Sequence, residues 1–283
     1  MILVDLSQVM IATLMAQIGN HRNAQVDENM VRHMILNSLR ANRVKFHAEY
    51  GELVICADDK NYWRRNFFPY YKASRRKARE KDELDWNAIF TALNKVRDEL
   101  KTFFPYKTLQ IETAEADDII GILTHKFGNE LNMGEKILIL SGDKDYIQLH
   151  RYANVQQYDP VRKRWIRHDD PDQYLREHII KGDSGDGVPN VLSPDNCFVI
   201  NERQKPITKK RLEEFQDINT LNEEIKRNYH RNKSLIDLSQ VPDNIKEQIM
   251  DAYESTEGGD RSHLFNYFVK NKLRNLMENL SEF

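Results

Sequence analysis

What most constrains the fold of this chain is a set of short apolar runs separated by segments of helical periodicity. ILVD (2–5), LVICA (53–57) and KILIL (136–140) are rich in β-branched residues and lack strict alternation, which predicts strands covered on both faces. Between them, Ile11, Leu14, Met15 and Ile18 recur at helical spacing, as do Trp86, Ile89, Phe90 and Leu93. Val31, Ile35 and Leu39 mark a third helix and Ile119, Leu123 and Phe127 a fourth, with TLQI (108–111) a weaker strand. Strands alternating with helices predict an α/β domain with a mostly parallel central sheet. NVQQYDPVRKRWIRH (154–168) reads as a hairpin around Asp159-Pro160, an antiparallel edge.

From Asp170-Pro171, a helix-start signal, only helical patterns follow, over 174–180, 212–228, 242–253 and 264–280. The expected organisation is an α/β domain over residues 1–168 and an all-helical domain over residues 169–283. A length of 283 residues suits that division and needs no disulfide staples. Cys56 and Cys197 read as free thiols of a reducing, cytoplasmic compartment. No apolar run approaches the roughly 20 residues of a membrane span, and MILVDLSQ lacks the pattern of a signal peptide.

Acids close each of the three apolar strands. Asp5 ends the first, Asp58-Asp59 the second, and Asp143 and Asp145 of SGDKD the third. Glu115, Asp117 and Asp118 of EADD open the helix after TLQI, and Asp183 and Asp186 lie in the glycine-rich GDSGDG. Any one of these has an ordinary explanation as a turn or a helix-dipole partner. Together, in a parallel sheet whose ligands bind beyond the carboxyl ends of the strands, they predict one acidic basin. Carboxylates within about 4–6 Å repel and raise one another's pKa, so the basin needs cations. An all-oxygen donor set, with no His or Cys at matching positions, selects Mg²⁺ or Mn²⁺ over zinc. The carboxylates exceed what one Mg²⁺ uses, which predicts two ions, the arrangement for in-line phosphodiester displacement.

The net charge of −2 hides an asymmetry: residues 60–81 hold nine Lys or Arg and one acid, a balance of +8 against −10 for the rest. Tyr62, Trp63, Phe67, Phe68, Tyr70 and Tyr71 fall in the same window. Charge that tracks a backbone plus rings that stack bases suits a single-stranded nucleic-acid end; Phe67 and Phe68 read equally as packing residues.

LVDLSQ, ICADD, YWRRNF with YYK, EADDI, SGDKDYIQL and KGDSGD occur in an order and spacing that resembles the flap endonuclease (5′-nuclease) superfamily, nearest its T-even bacteriophage branch. The likeness continues through PDNI (242–245) and YFVK (267–270). It implies a PIN-like α/β nuclease domain with a helical arch over 60–90, then a helical domain whose helix–loop–helix element binds duplex DNA. The implied enzyme is a two-metal 5′-to-3′ exonuclease and flap endonuclease with RNase H-type activity, removing RNA primers and flaps during phage DNA replication in the infected cell's cytoplasm. Mg²⁺ is the implied metal, with Mn²⁺ able to substitute.

Carried over by the resemblance, Asp5, Asp58, Glu115 and Asp117 bind metal, as do Asp143, Asp145 and Asp186. Asp118 and Asp183 support them from behind. Lys72 and Arg79 contact the scissile phosphate from the arch; seven residues apart, they would share one helix face. Tyr71 would stack on a base, and Arg64, Arg65, Arg75, Arg76 and Lys77 would track the strand. Gly185 and Gly187 would offer backbone amides to the duplex, with Lys209 and Lys210 of ITKKRLEEF adding phosphate contacts. The expected partners are branched or nicked duplex DNA, RNA–DNA hybrid and a single-stranded-DNA-binding protein, met by a monomer. Two departures qualify this. After Val191 the family's Gly-Ile-Gly and Lys-Thr-Ala give way to LSPDNCFVINERQKP, which leaves a K⁺ site in the loop open. The chain starts at its first strand without the acidic extension linked to sliding-clamp docking, so that route to the clamp is not expected. The rival readings are a PIN-type single-stranded ribonuclease and a catalytically inert branched-DNA-binding protein.

Overall fold

Six strands form one sheet in the order β3-β2-β1-β4-β5-β6: β1 Ile2–Asp5, β2 Leu53–Cys56, β3 Lys107–Leu109, β4 Ile137–Leu140, β5 Val155–Asp159 and β6 Arg164–Ile166. The first five run parallel and only β6 pairs antiparallel, as the edge of the expected hairpin. This is a computed structural model that describes residues 1–18, 27–129, 131, 133–215 and 217–283, without the side chains of residues 76–78.

The connections carry α1 (Leu6–Ile18), α2 (Glu28–Tyr50), α3 (Trp63–Phe67), α4 (Ala73–Glu80), α5 (Trp86–Phe103) and α6 (Ala116–Phe127). A 3₁₀ helix, Asp145–Arg151, follows β4. Beyond β6 come α7 (Pro171–Lys181), α8 (Lys209–Glu214), α9 (Glu223–Ile236), α10 (Asp243–Ser255), α11 (Ser262–Lys270) and α12 (Arg274–Met277). Asp170 caps α7, accepting from Gln173 N at 2.9 Å, with Pro171 at the first turn, as the sequence signal implies.

Alternate strand residues enter opposite cores. Ile2, Val4, Ile55, Leu138 and Leu140 pack with α1, α2 and α5, while Leu3, Val54, Cys56, Ile137 and Ile139 pack with α6. That is why these strands read as unbroken apolar runs. The C-terminal helices join both layers: Leu264, Phe268 and Leu276 enter the first core, Ile245 and Ile249 the second.

Two helices expected in this half are interrupted. Instead of one helix over 212–228, α8 stops at Glu214, a 3₁₀ turn occupies Ile218–Thr220, and α9 begins at Glu223. Asp217 accepts from Asn219 N and Asn222 from Ile225 N, both at 3.0 Å, so short polar side chains take the backbone N–H groups that a continuous helix would use. The stretch 264–280 divides between α11 and α12, with Lys272 between them at φ 57.

Candidate functional site

β1 lies between β2 and β4, where the sheet order changes direction, and chain segments leave it both ways. A crevice opens at such a point beyond the carboxyl ends of the strands. Register fills it with acid. Asp5 pairs with Cys56, so Asp58 lies two residues past the end of β2, and the pairing of Val4 with Leu140 sets Ser141 beside Asp5. Asp5, Asp58, Asp117, Asp143 and Asp145 line one cleft of about 490 Å³, together with Lys72, Arg75 and Arg79. Asp183 and Asp186 line the same cleft, so positions 5 to 186 of the sequence converge on the predicted basin.

These acids divide into two kinds. Asp5 is buried and accepts from Gln8 N (3.0 Å), Ser141 Oγ (3.1 Å) and Tyr146 Oη (3.2 Å). Burial, then Asp58, push its carboxyl up to about 7 despite those bonds. Asp117 accepts from the Tyr146 hydroxyl and is raised well above its ordinary range by burial and by Asp5 and Asp143. Asp145 is raised likewise, by burial and Asp143. Asp58 accepts from Ala116 N at 2.7 Å, and Asp143 from Asp145 N at 3.0 Å.

The second kind carries its own cations. Glu115 meets Lys72 Nζ (2.5 Å), Arg64 Nη1 (2.9 Å) and the Tyr71 hydroxyl (3.0 Å). Burial would raise Glu115, but Lys72 and Arg64 overcome it and hold the carboxylate below its usual range. Asp118, fully buried, lies 2.7 Å from Arg64 Nη2 and accepts from Trp63 Nε1 at 3.0 Å. Asp186 accepts from Tyr71 (2.8 Å), pairs with Arg75, and has Lys72 at 3.5 Å. Asp183 accepts from Gly185 N (2.7 Å) and Asp186 N (3.1 Å), which shapes the glycine-rich loop.

Several residues expected to touch nucleic acid are occupied elsewhere. Arg64 is buried, paired with Glu115 and Asp118, and donates to Leu235 O at 2.8 Å. Tyr71 is buried among Phe68, Leu175 and Val188, so its ring offers no face to a base. The amides of Gly185 and Gly187 are spent on Asp183 Oδ1 and Ser184 O. Lys72 precedes α4 at φ 55, so Lys72 and Arg79 do not share a helix face, although both line the cleft. The Arg79 guanidinium lies over Phe90 at 4.7 Å and Trp86 at 5.4 Å. Arg65 is exposed beside Tyr62, Arg75 also reaches Gly185 O at 3.0 Å, and Lys209 and Lys210 are exposed on α8. The side chains of Arg76 and Lys77 lie outside the described residues.

In the departing loop, side chains from α9 already use backbone carbonyls: Asn232 and Arg231 donate to Pro189 O and Asn228 donates to Val191 O, at 2.8, 2.8 and 2.9 Å.

One residue at the site was not anticipated. His178 of α7 stands 3.6 Å from both Asp145 and Asp183. Burial works against its charge, but Asp183 and Asp145 raise its pKa above the usual value. The predicted helix over 174–180 put His178 one turn before the glycine-rich loop; the packing of α7 on the 3₁₀ helix carrying Asp145 had no local signal.

A family model described as the 5′-3′ exonuclease N-terminal resolvase-like domain matches residues 1–179. A second, described as T4 RNase H, C terminal, matches residues 171–283. The chain is 37% identical to ribonuclease H of Enterobacteria phage T4 over 294 residues, covering 99% of this chain and 95% of that protein. A 5′-3′ exonuclease of Buchnera aphidicola (subsp. Schizaphis graminum) is 30% identical over 146 residues, 49% of this chain and 47% of its own length. In fold it is similar to the bacteriophage T5 5′-exonuclease with bound zinc, at TM-score 0.63 and 18% identity over 90% of this chain and 98% of that one. A T5 flap endonuclease in a pseudo-enzyme-product complex with DNA and metal ions matches at TM-score 0.62 and 17% identity, over 89% and 97%.

Proposed function

This chain belongs to the 5′-3′ exonuclease family, with a C-terminal domain of T4 RNase H type, and from that premise we propose that its acidic cleft hydrolyses phosphodiesters at the 5′ ends of RNA primers and flaps. The observation that carries this is the convergence of Asp5, Asp58, Asp117, Asp143 and Asp145 in one cleft walled by Lys72, Arg75 and Arg79. Since the relative that spans 99% of this chain is a bacteriophage protein, the work is assigned to phage replication in the cytoplasm of an infected bacterium.

The donor set fits divalent cations. Asp5, Asp117 and Asp145 are pushed above their ordinary range by burial and then by neighbouring carboxylates, Asp58 at Asp5, Asp5 at Asp117 and Asp143 at Asp145, a repulsion that bound cations relieve. Asp5, Asp58, Asp117, Asp143 and Asp145 would hold two Mg²⁺ ions, with Mn²⁺ able to substitute. When bound, such ions supply a water of lowered pKa and neutralise charge on the phosphate and leaving oxygen. Glu115 and Asp186 keep Lys72 charged and aimed at the cleft: burial opposes the ammonium, but these two carboxylates hold it well above its ordinary pKa. Lys72 and Arg79 then face the charge that builds on the scissile phosphate, the electrostatic assistance that dominates such hydrolyses. The division at 168/169 is one of roles rather than of cores: the helices beyond it, packed into the same cores as the sheet, grip duplex, with Lys209 and Lys210 meeting its phosphates.

The test is Asp143→Asn on a 5′-labelled flap, a nicked duplex and an RNA–DNA hybrid. Mg²⁺-dependent cleavage is expected to fall by about 10³-fold while DNA affinity is retained. Cleavage at the unsubstituted rate would overturn the reading. Faster cleavage of single-stranded RNA than of flaps would favour a PIN-type ribonuclease instead.

A further inference from the structure

We propose that His178 is a nitrogen ligand in the cleft, holding a divalent ion together with Asp145 and giving one of the two metal positions a mixed nitrogen–oxygen character. The inference rests on the metal reading above and adds to it a donor that no carboxylate motif supplies. Its ground is geometry. One ligand atom from each of Asp145, His178 and Asp183 falls within a 4.8 Å span, the sole such group of three His, Cys, Asp or Glu among the described residues. Nδ1 of His178 is buried with no hydrogen-bond partner and stands 3.6 Å from Asp145 Oδ1. Nε2 stands 3.6 Å from Asp183 Oδ2.

A separation of 3.6 Å is too long for a hydrogen bond. Two atoms that each bind the same ion at about 2.0–2.2 Å lie roughly 3–3.5 Å apart, so Nδ1 and Asp145 are spaced as co-ligands rather than as donor and acceptor. The opposite nitrogen faces Asp183 Oδ2 at the same 3.6 Å, a contact that would have to tighten into a hydrogen bond as Nδ1 takes the ion, so fixing the tautomer and orientation of the ring. Asp183 can hold that post because its other oxygen is tied to the amides of Gly185 and Asp186. The ring is itself braced by Tyr174, whose centroid lies 5.9 Å away. Imidazole suits the later first-row ions, whereas Mg²⁺ prefers oxygen throughout. A position with His178 in it therefore favours Mn²⁺ over Mg²⁺ more strongly than a purely carboxylate one.

The experiment is electron spin-echo envelope modulation on the full-length chain loaded with Mn²⁺, with titration calorimetry of Mn²⁺ and Mg²⁺ on the unsubstituted chain and on His178→Gln. The expected result is a ¹⁴N coupling that disappears in His178→Gln. In that variant the weaker of two Mn²⁺ affinities should drop by about tenfold or more, with Mg²⁺ affinity within about twofold. The modulation in the unsubstituted chain tests the idea even if the variant folds poorly. Bound Mn²⁺ without a ¹⁴N coupling, or a coupling that survives His178→Gln, overturns the assignment while the carboxylate site stands. No Mn²⁺ bound at all, with Asp143→Asn behaving identically, overturns the metal reading as well.

Discussion

Asp117 and Glu115 lie two positions apart in the sequence yet shift in opposite directions. Burial with Asp5 and Asp143 raises Asp117, whereas at Glu115 the cations Lys72 and Arg64 outweigh burial. On the proposed reading the first kind of acid is left for a metal, whereas the second holds a side-chain cation in place. Asp5, pushed up from 3.8 to about 7, binds more protons folded than unfolded between those values, so metal-free stability falls as pH rises through that window. In chelator, melting is expected at higher temperature at pH 6 than at pH 8. Asp117→Asn, which keeps an acceptor for Tyr146, should raise the pH 8 melting temperature by about 2–4 °C and shrink the difference; a lower melting temperature would count against an uncompensated cluster. Lys72→Ala takes one of two cations from the buried Glu115 and should destabilise by about 3 kcal/mol, as for other broken buried pairs. Assayed below its melting temperature on saturating flap, it should also lose turnover. A loss of affinity alone would reduce Lys72 to a steering charge.

The glycine-rich loop after α7 and the base of the arch are one built element. Lys72 N donates to Asp186 O at 2.7 Å, and Gly187, at φ 73, lies so close that a Cβ there would meet Tyr70 O at 3.0 Å. Gly187→Ala therefore combines a left-handed backbone with a tight contact, and about 1–2 kcal/mol of stability should be lost. Because the strain falls between Lys72 and Asp186, flap cleavage should drop more than stability alone requires, which parallel melting and cleavage measurements will show. The arch also explains a limit of helical counting. A spacing of seven implies a shared face only if both residues are helical, and α4 begins just after Lys72.

Across the molecule, the C-terminal helices are fastened to the sheet rather than set apart from it. Phe268 and Phe283 are buried in the same core as Val4 and Ile55. Unfolding by denaturant should therefore appear as one transition by tryptophan fluorescence and circular dichroism alike. Phe268→Ala should shift both by about 3–5 kcal/mol; a shift confined to one probe would mean separately folding halves. Strands, main helices, the antiparallel edge and the strand-end acids were legible because each rests on a local pattern: apolar runs, a 3.6-residue period, and acids beside turns. The breaks within 212–228 and 264–280 were less so, since polar caps compete with helix over only a few residues. The sequence alone determined that acids would gather beyond the carboxyl ends of parallel strands, because strand direction and spacing decide that. Only the tertiary structure decided which acids acquired cations, why Arg64 and Tyr71 turned inward, and that His178 came to stand between Asp145 and Asp183. Charge compensation and burial depend on partners far along the chain, as with Leu235, 171 residues from Arg64, and no local pattern encodes them.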